Sequence, residues 1–262
     1  MVVRSITVES GTTISLITDS NEDSYKKGLN RFAKEAENLA RFQELPGIVS
    51  VKDFFYENNT AYMIMEYIEG ITLAKYLLES GDKLPYNQVV KMMKPVMESL
   101  QTIHEAGIIH RDISPDNIMA TDNGELKLID FCAARYVGSN DAKSLTVIIK
   151  HGYAPPEQYQ SDGKQGPWTD VYALAASMYR MITGIVLQES TDRLLNEDHV
   201  ISVIELIRDI PVYVSDAIMH GLEIKMMKRS NGIAIFMDEL EKYRKNSSKY
   251  IKIIICAVAS VI

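Results

Sequence analysis

The period of the apolar residues changes along the chain, and each change predicts an element. Residues 5–8 (SITV) and 13–18 (TISLIT) alternate and are rich in β-branched side chains, which predicts short strands. Residues 19–45 open with polar capping residues. They then place Leu29, Phe32, Ala36, Leu39 and Phe42 at helical spacing, until Pro46 and Gly47 stop the helix. Residues 48–70 read as a hairpin, two apolar strands around the turn-forming Glu57, Asn58 and Asn59. Beyond Gly70 the period lengthens. Residues 84–107 put Val89, Met93, Val96, Met97, Leu100 and Ile103 on one face, which predicts a long helix with a buried stripe and a kink at Pro95. Methionines in such a stripe are core packing rather than a cofactor site. Residues 117–130 form a second hairpin pattern around Asp122, Asn123 and Gly124. From Trp168 the pattern is helical, broken at Gly184, at Pro211 and at Ser230, Asn231 and Gly232. The expected fold class is α+β: a small β-rich lobe, a connector near residues 66–70, and a larger, mainly helical lobe.

Composition narrows the function classes. The 262 residues are 46% hydrophobic and 24% charged, enough to bury a core. A net charge of −7 excludes a general nucleic-acid binder, which needs a basic face. Cys132 and Cys256 stand far apart and predict reduced thiols, not a disulfide framework. The histidines form no zinc spacing. At the C-terminal end, Lys242, Arg244, Lys245, Lys249 and Lys252 precede an apolar run from Ile253 to Ile262. A membrane helix needs about 20 such residues. The run is therefore a short buried segment or the beginning of a span, and the basic residues before it favour the span.

The chemistry concentrates in HRDISPDNIM, residues 110–119. Asp112 lies in a loop between apolar segments, Asn117 opens the second hairpin, and Asp130 closes it. Such a hairpin brings the oxygens of Asn117 and Asp130 side by side, a ligand type that suits Mg²⁺ completed by phosphate and water. Asp112 could accept a proton from a hydroxyl beside that metal. Taken singly, each of these residues is an ordinary turn residue.

The order of motifs goes further. HRDISPDN resembles the catalytic loop of eukaryotic-type protein kinases. Residues 130–132 (DFC) stand where that family has Asp-Phe-Gly, GYAPPEQY resembles its Ala-Pro-Glu segment, and residues 168–184 resemble the helix that anchors the loop, with Asp170 as anchor. The chain looks most like bacterial serine/threonine kinases with a membrane span after the kinase domain.

The resemblance implies ATP and Mg²⁺ as cofactors and a protein serine or threonine as substrate. It makes Asp112 the catalytic base, and Asn117 and Asp130 the metal ligands. Met65 becomes the gatekeeper, the backbones of Glu66 and Ile68 meet adenine, Met119 lies in the same nucleotide site, and Glu35 is the glutamate that pairs with the ATP-binding lysine. It implies a column of Leu39, Val51, His110 and Phe131, an ion pair between Glu157 and Arg229, and a phosphate acceptor at Ser139, Ser144 or Thr146 for Arg111. The expected divisions are a partial small lobe at 1–66, the larger lobe at 67–245, and a basic juxtamembrane segment with the start of a span at 246–262. The kinase would face the cytosol from the cell membrane, with no nucleic-acid partner, and could dimerise through regions outside this chain.

The sequence also departs from the family. No G-x-G-x-x-G occurs, and no V-A-I-K-like strand precedes Glu35, so the phosphate lid and lysine are missing. Arg4 is the one basic residue ahead of the first helix's polar start. Both ends read as clipped, which makes this a fragment of a longer membrane kinase or, alternatively, a tethered pseudokinase scaffold. A small-molecule phosphotransferase fits less well, because the GYAPPEQY and Asp170 segments belong to peptide handling. Ser114 replaces the lysine usual two residues after the catalytic aspartate, and Lys150 replaces a threonine of the activation segment. The two side chains are expected to have exchanged roles, with Lys150 supplying the charge. Cys132 replaces a glycine, which restricts the backbone beside Asp130.

Overall fold

The computed structural model describes residues 2–5, 29–57 except 31, 34, 35 and 38, 60–131, 134–136, 150–160, 163–196 and 199–241. In the small lobe, β1 (Val2–Ser5), β2 (Val51–Glu57) and β3 (Thr60–Met65) form an antiparallel sheet in the order β1-β3-β2. The first strand begins earlier than the alternation of residues 5–8 suggested, and residues 13–18 lie outside those described. In its register Val2 faces Met65 and Arg4 faces Met63. The β2–β3 ladder runs to Glu57 opposite Thr60, with a register shift between Val51 and Asp53; the predicted turn residues Asn58 and Asn59 lie outside those described. Helix α1, helical at the described residues from 29 to 40, buries Phe32, Ala36 and Leu39 beneath this sheet.

Two further short sheets follow. One is β4 (Gly70–Thr72), β6 (Ile118–Thr121) and β7 (Leu126–Leu128) in the order β4-β6-β7; the other pairs β5 (Ile108–Ile109) with β8 (Arg135–Tyr136). The β6–β7 pair is the second predicted hairpin, with Ile118 opposite Leu128.

The larger lobe is built on α2 (Leu73–Glu79), α3 (Tyr86–Glu105), α4 (Pro167–Thr183), α5 (Ser190–Leu195), α6 (Val203–Leu206), α7 (Val212–Gly221) and a last helix, α8, at residues 233–241. All six stripe residues of α3 are buried. The helix runs uninterrupted through Pro95, which removes only one backbone donor while both flanks are held by core contacts. Helix α4 is apolar almost all round and accordingly lies inside the lobe, from Val171 to Ile182. Gly184, at φ 78°, ends it and donates its N–H to Arg180 O at 2.9 Å. Among the described residues no helix is long and apolar enough to cross a membrane; residues 246–262 lie outside them.

Candidate active site

The loop that carries Asp112 is fixed from below. Asp170, in the first turn of α4, is fully buried, and its carboxylate takes three donors: His110 N–H at Oδ2 (2.7 Å), Arg111 N–H at Oδ1 (2.7 Å) and His104 Nε2 at Oδ2 (2.7 Å). Burial alone would push this carboxyl up, but the hydrogen bond and charge of His104, with His110, outweigh it and hold the pKa below the ordinary value. The His110 ring meets Phe131 edge-on, with centroids 4.4 Å apart. Burial pushes that imidazole's pKa down, and its Nδ1 accepts the Asp112 N–H at 3.2 Å, so the ring ties the loop to the residue after Asp130. Leu39 and Val51 are buried in the same core as Phe131.

Arg111 adopts φ 73°, a left-handed conformation that turns the chain so that Asp112 leaves the anchored stretch. Two side-chain amides hold Arg111: Gln165 Oε1 accepts from its Nε, and Gln158 Nε2 donates to its carbonyl at 2.7 Å. Neither glutamine was expected from the sequence, because each lies about 50 residues away with no local pattern to mark it. The predicted pair forms: Arg229 Nη1 lies 2.7 Å from Glu157 Oε1, with both side chains buried.

Above this base the acids converge. Asn117 Nδ2 donates to Asp112 Oδ2 (2.7 Å) and to Asp112 O (2.9 Å), and Ile129 N–H donates to Asn117 O (2.9 Å). The hairpin therefore sets Asn117 beside residues 129 and 130, and Asn117 commits its amide protons to Asp112, leaving Oδ1 as an acceptor. Asp130 also has positive φ, 63°. An amide oxygen and a carboxylate are hard ligands of the kind Mg²⁺ takes, so the residues present fit that ion. Asp112 is half-buried, and its pKa is pushed up to about 6. Burial is the main cause; Asn117 pulls it back, Asp130 and Asp116 repel the charge, and Lys150 lowers it. Lys150 Nζ is 2.8 Å from Asp116 Oδ2, four residues along the loop from Asp112. Ser114 is fully buried, and its hydroxyl has no hydrogen-bond partner among the described residues.

A cavity of about 260 Å³ opens next to these groups. It is lined by Val49, Met65, Glu66, Tyr67, Ile68, Met119, Ile129 and Asp130. Four residues assigned to the nucleotide from the sequence (Met65, Glu66, Ile68, Met119) thus share one cavity with the metal candidate Asp130. The mostly apolar walls suit a flat ring, and the Asp130 carboxylate suits a cation at that end. Val49, Tyr67 and Ile129 were missed; they sit next to recognised residues but carry no chemical signature of their own. Glu35, Cys132, Ser139, Ser144 and Thr146 lie outside the described residues.

Comparison with known proteins agrees with this geometry. The protein kinase domain family model matches residues 2–255. Serine/threonine-protein kinase PknL of Mycobacterium tuberculosis is 36% identical over 169 residues, covering 64% of this chain and 42% of that protein. A probable serine/threonine-protein kinase of Clostridium perfringens is 31% identical over 225 residues, covering 83% of this chain and 32% of that protein. The chain thus spans less than half the length of these curated relatives. The solved structure of the PpkA-294 apo form superposes with a TM-score of 0.73 at 30% identity, covering 87% of this chain and 79% of that one.

Proposed function

The chain belongs to the protein kinase domain family, and we propose that it transfers the γ-phosphate of ATP to a serine or threonine hydroxyl of a protein. One observation carries the reading: an apolar cavity ends at Asp130, in the same hairpin-and-loop cluster where Asn117 and Asp112 are hydrogen-bonded to each other. In this reading the ring of the nucleotide lies among Val49, Met65, Ile68 and Met119. Asn117 and Asp130 hold Mg²⁺, which when bound neutralises phosphate charge. Asp112, oriented by Asn117, takes the proton of the substrate hydroxyl. A carboxyl titrating near 6 is ionised at neutral pH yet more basic than an ordinary aspartate.

Lys150 takes the part that Ser114 cannot. A buried serine leaves no cation at that point, while Lys150 sits on Asp116 and acts on the charge of Asp112. The register of β1 makes Arg4 the residue to test for the phosphate charge, since it stands opposite Met63, two places from the Val2–Met65 pair at the cavity's edge. Glu35 completes the proposed set. We also propose a division into a small lobe at 1–66 and a larger lobe at 67–245, with the basic and apolar residues 246–262 as a membrane tether that leaves the kinase facing the cytosol, and dimerisation.

The test is thermal unfolding with and without Mg-ATP, with Asp130→Asn as control. Nucleotide at 100 times its dissociation constant stabilises by about 2.7 kcal/mol, a rise of about 5–10 °C for a domain of this size. A rise that disappears in Asp130→Asn supports the reading. No rise in the folded protein supports the scaffold alternative.

A further inference from the structure

Glu66 follows the last residue of β3 and does more than line the cavity. Its N–H donates to Ser50 O at 2.9 Å, and its carboxylate Oε1 accepts Ser50 N–H at 2.9 Å, which closes a ring between the two residues. The same Oε1 lies 2.6 Å from Lys127 Nζ. Lys127 belongs to β7 and stands directly opposite Met119 in the β6–β7 ladder. Directly opposed residues share a face of the sheet. Met119 and Lys127 therefore project from one face of the hairpin, Met119 into the cavity and Lys127 across to Glu66.

The segment between these partners is itself immobilised. Leu128 N–H donates to Gly47 O (2.8 Å), and Val49 N–H donates to Leu128 O (3.0 Å). Gly47 lies so close to α3 that an added Cβ would fall 2.3 Å from Pro95 O, and its N–H donates to Ser99 Oγ at 3.0 Å. Residues 47–50 are thus stitched to the hairpin on one side and to Glu66 on the other. The two ionic side chains are 21% and 22% exposed, so their attraction is screened less than that of an open surface pair.

We propose that the Lys127–Glu66 ion pair is a positioning device for the nucleotide cavity. It fixes the strand end that would face the adenine against the hairpin that carries the cavity's Met119 and Asp130. The pair sets affinity for the ring and takes no part in phosphate transfer. The inference rests on the nucleotide reading above. Burial pushes the Glu66 carboxyl up, but Lys127 and Ser50 N–H outweigh it and hold it below the ordinary value, so the pair is ionic at neutral pH.

Titration calorimetry with adenosine and with Mg-ATP, steady-state kinetics, and amide exchange of the ligand-free chain test it together. In Lys127→Met, adenosine and ATP are each expected to bind about tenfold more weakly, a change of about 1.4 kcal/mol. KM for ATP should rise in parallel while kcat stays within about twofold. Exchange should quicken at the amides of Ser50 and Glu66, and Lys127→Arg should restore all three readouts. Unchanged affinities and exchange in Lys127→Met overturn the proposal and leave the nucleotide reading standing, as does a fall in kcat with KM unchanged. If the unaltered chain binds neither adenosine nor ATP, the nucleotide reading falls and the proposal falls with it.

Discussion

Asp170 and Asp112 lie on either side of the same short stretch of backbone, and their surroundings are opposite. Asp170 is fully buried with three donors on its two oxygens, and its pKa is held below the ordinary value. Asp112 is half-buried, takes Asn117 as a side-chain donor, faces the charges of Asp130 and Asp116, and titrates near 6. The first carboxylate is satisfied, so its charge is a fixed part of the fold. The second is under-satisfied, so its charge is available to the proton that the proposed reaction would release. Residues 110 and 111 join them: their N–H groups belong to the anchor and their direction belongs to the site.

The largest expected effect breaks the anchor. Asp170→Ala leaves the N–H groups of His110 and Arg111 buried without an acceptor, and should lower unfolding free energy by about 3–5 kcal/mol in urea titration. Arg229→Met should cost a similar amount by stranding the Glu157 carboxylate. Asp112→Asn should do the reverse. Phosphotransfer should fall by about 10²–10⁴, while stability does not fall. Here the sign is definite. The folded pKa of Asp112, about 6, lies above its ordinary value of 3.8. Its contribution to stability is therefore fully present below the ordinary value and is lost as pH rises through about 6. Asp112→Asn should stabilise the fold at about pH 7–8, and the gain should vanish towards about pH 4.

A smaller effect sharpens the contrast without removing either acid. The acid limb of the pH–rate profile should lie near 6, where Asp112 titrates. Lys150→Met removes a cation that lowers this pKa, so the limb should move to higher pH; an unmoved limb with normal turnover would place Lys150 outside the chemistry. Least of all, Asp116→Asn removes a repelling charge and releases Lys150. The limb should move to lower pH while stability changes by no more than about 0.5 kcal/mol.

Much of this scaffold was legible in the sequence because it rests on local periods. The α3 stripe, the strand pairs of both hairpins and the stops at Gly184 and Pro211 follow from spacing and turn chemistry. Asp112 and Asn117 lie five residues apart on one loop, and the structure joins them with hydrogen bonds. The role of Asp170 came from resemblance, since a buried aspartate in an apolar helix carries no period of its own. The partners that finish the site were not legible. Lys150 with Asp116, Gln165 with Arg111 and Lys127 with Glu66 are contacts between distant segments, and their charges look like ordinary surface residues until the chain is folded.

Arg111 and Asp130, at φ 73° and 63°, bound the site with backbone shapes that side chains rarely tolerate. For a chain drifting through sequence space this narrows the exits. At position 130 a β-branched residue meets a steric barrier, and glycine keeps the shape but discards the carboxylate. Asparagine tolerates the same left-handed shape and loses only the charge. The easiest route away from the proposed catalysis therefore preserves the architecture, and descendants of such a chain would lose that chemistry well before they lost the fold.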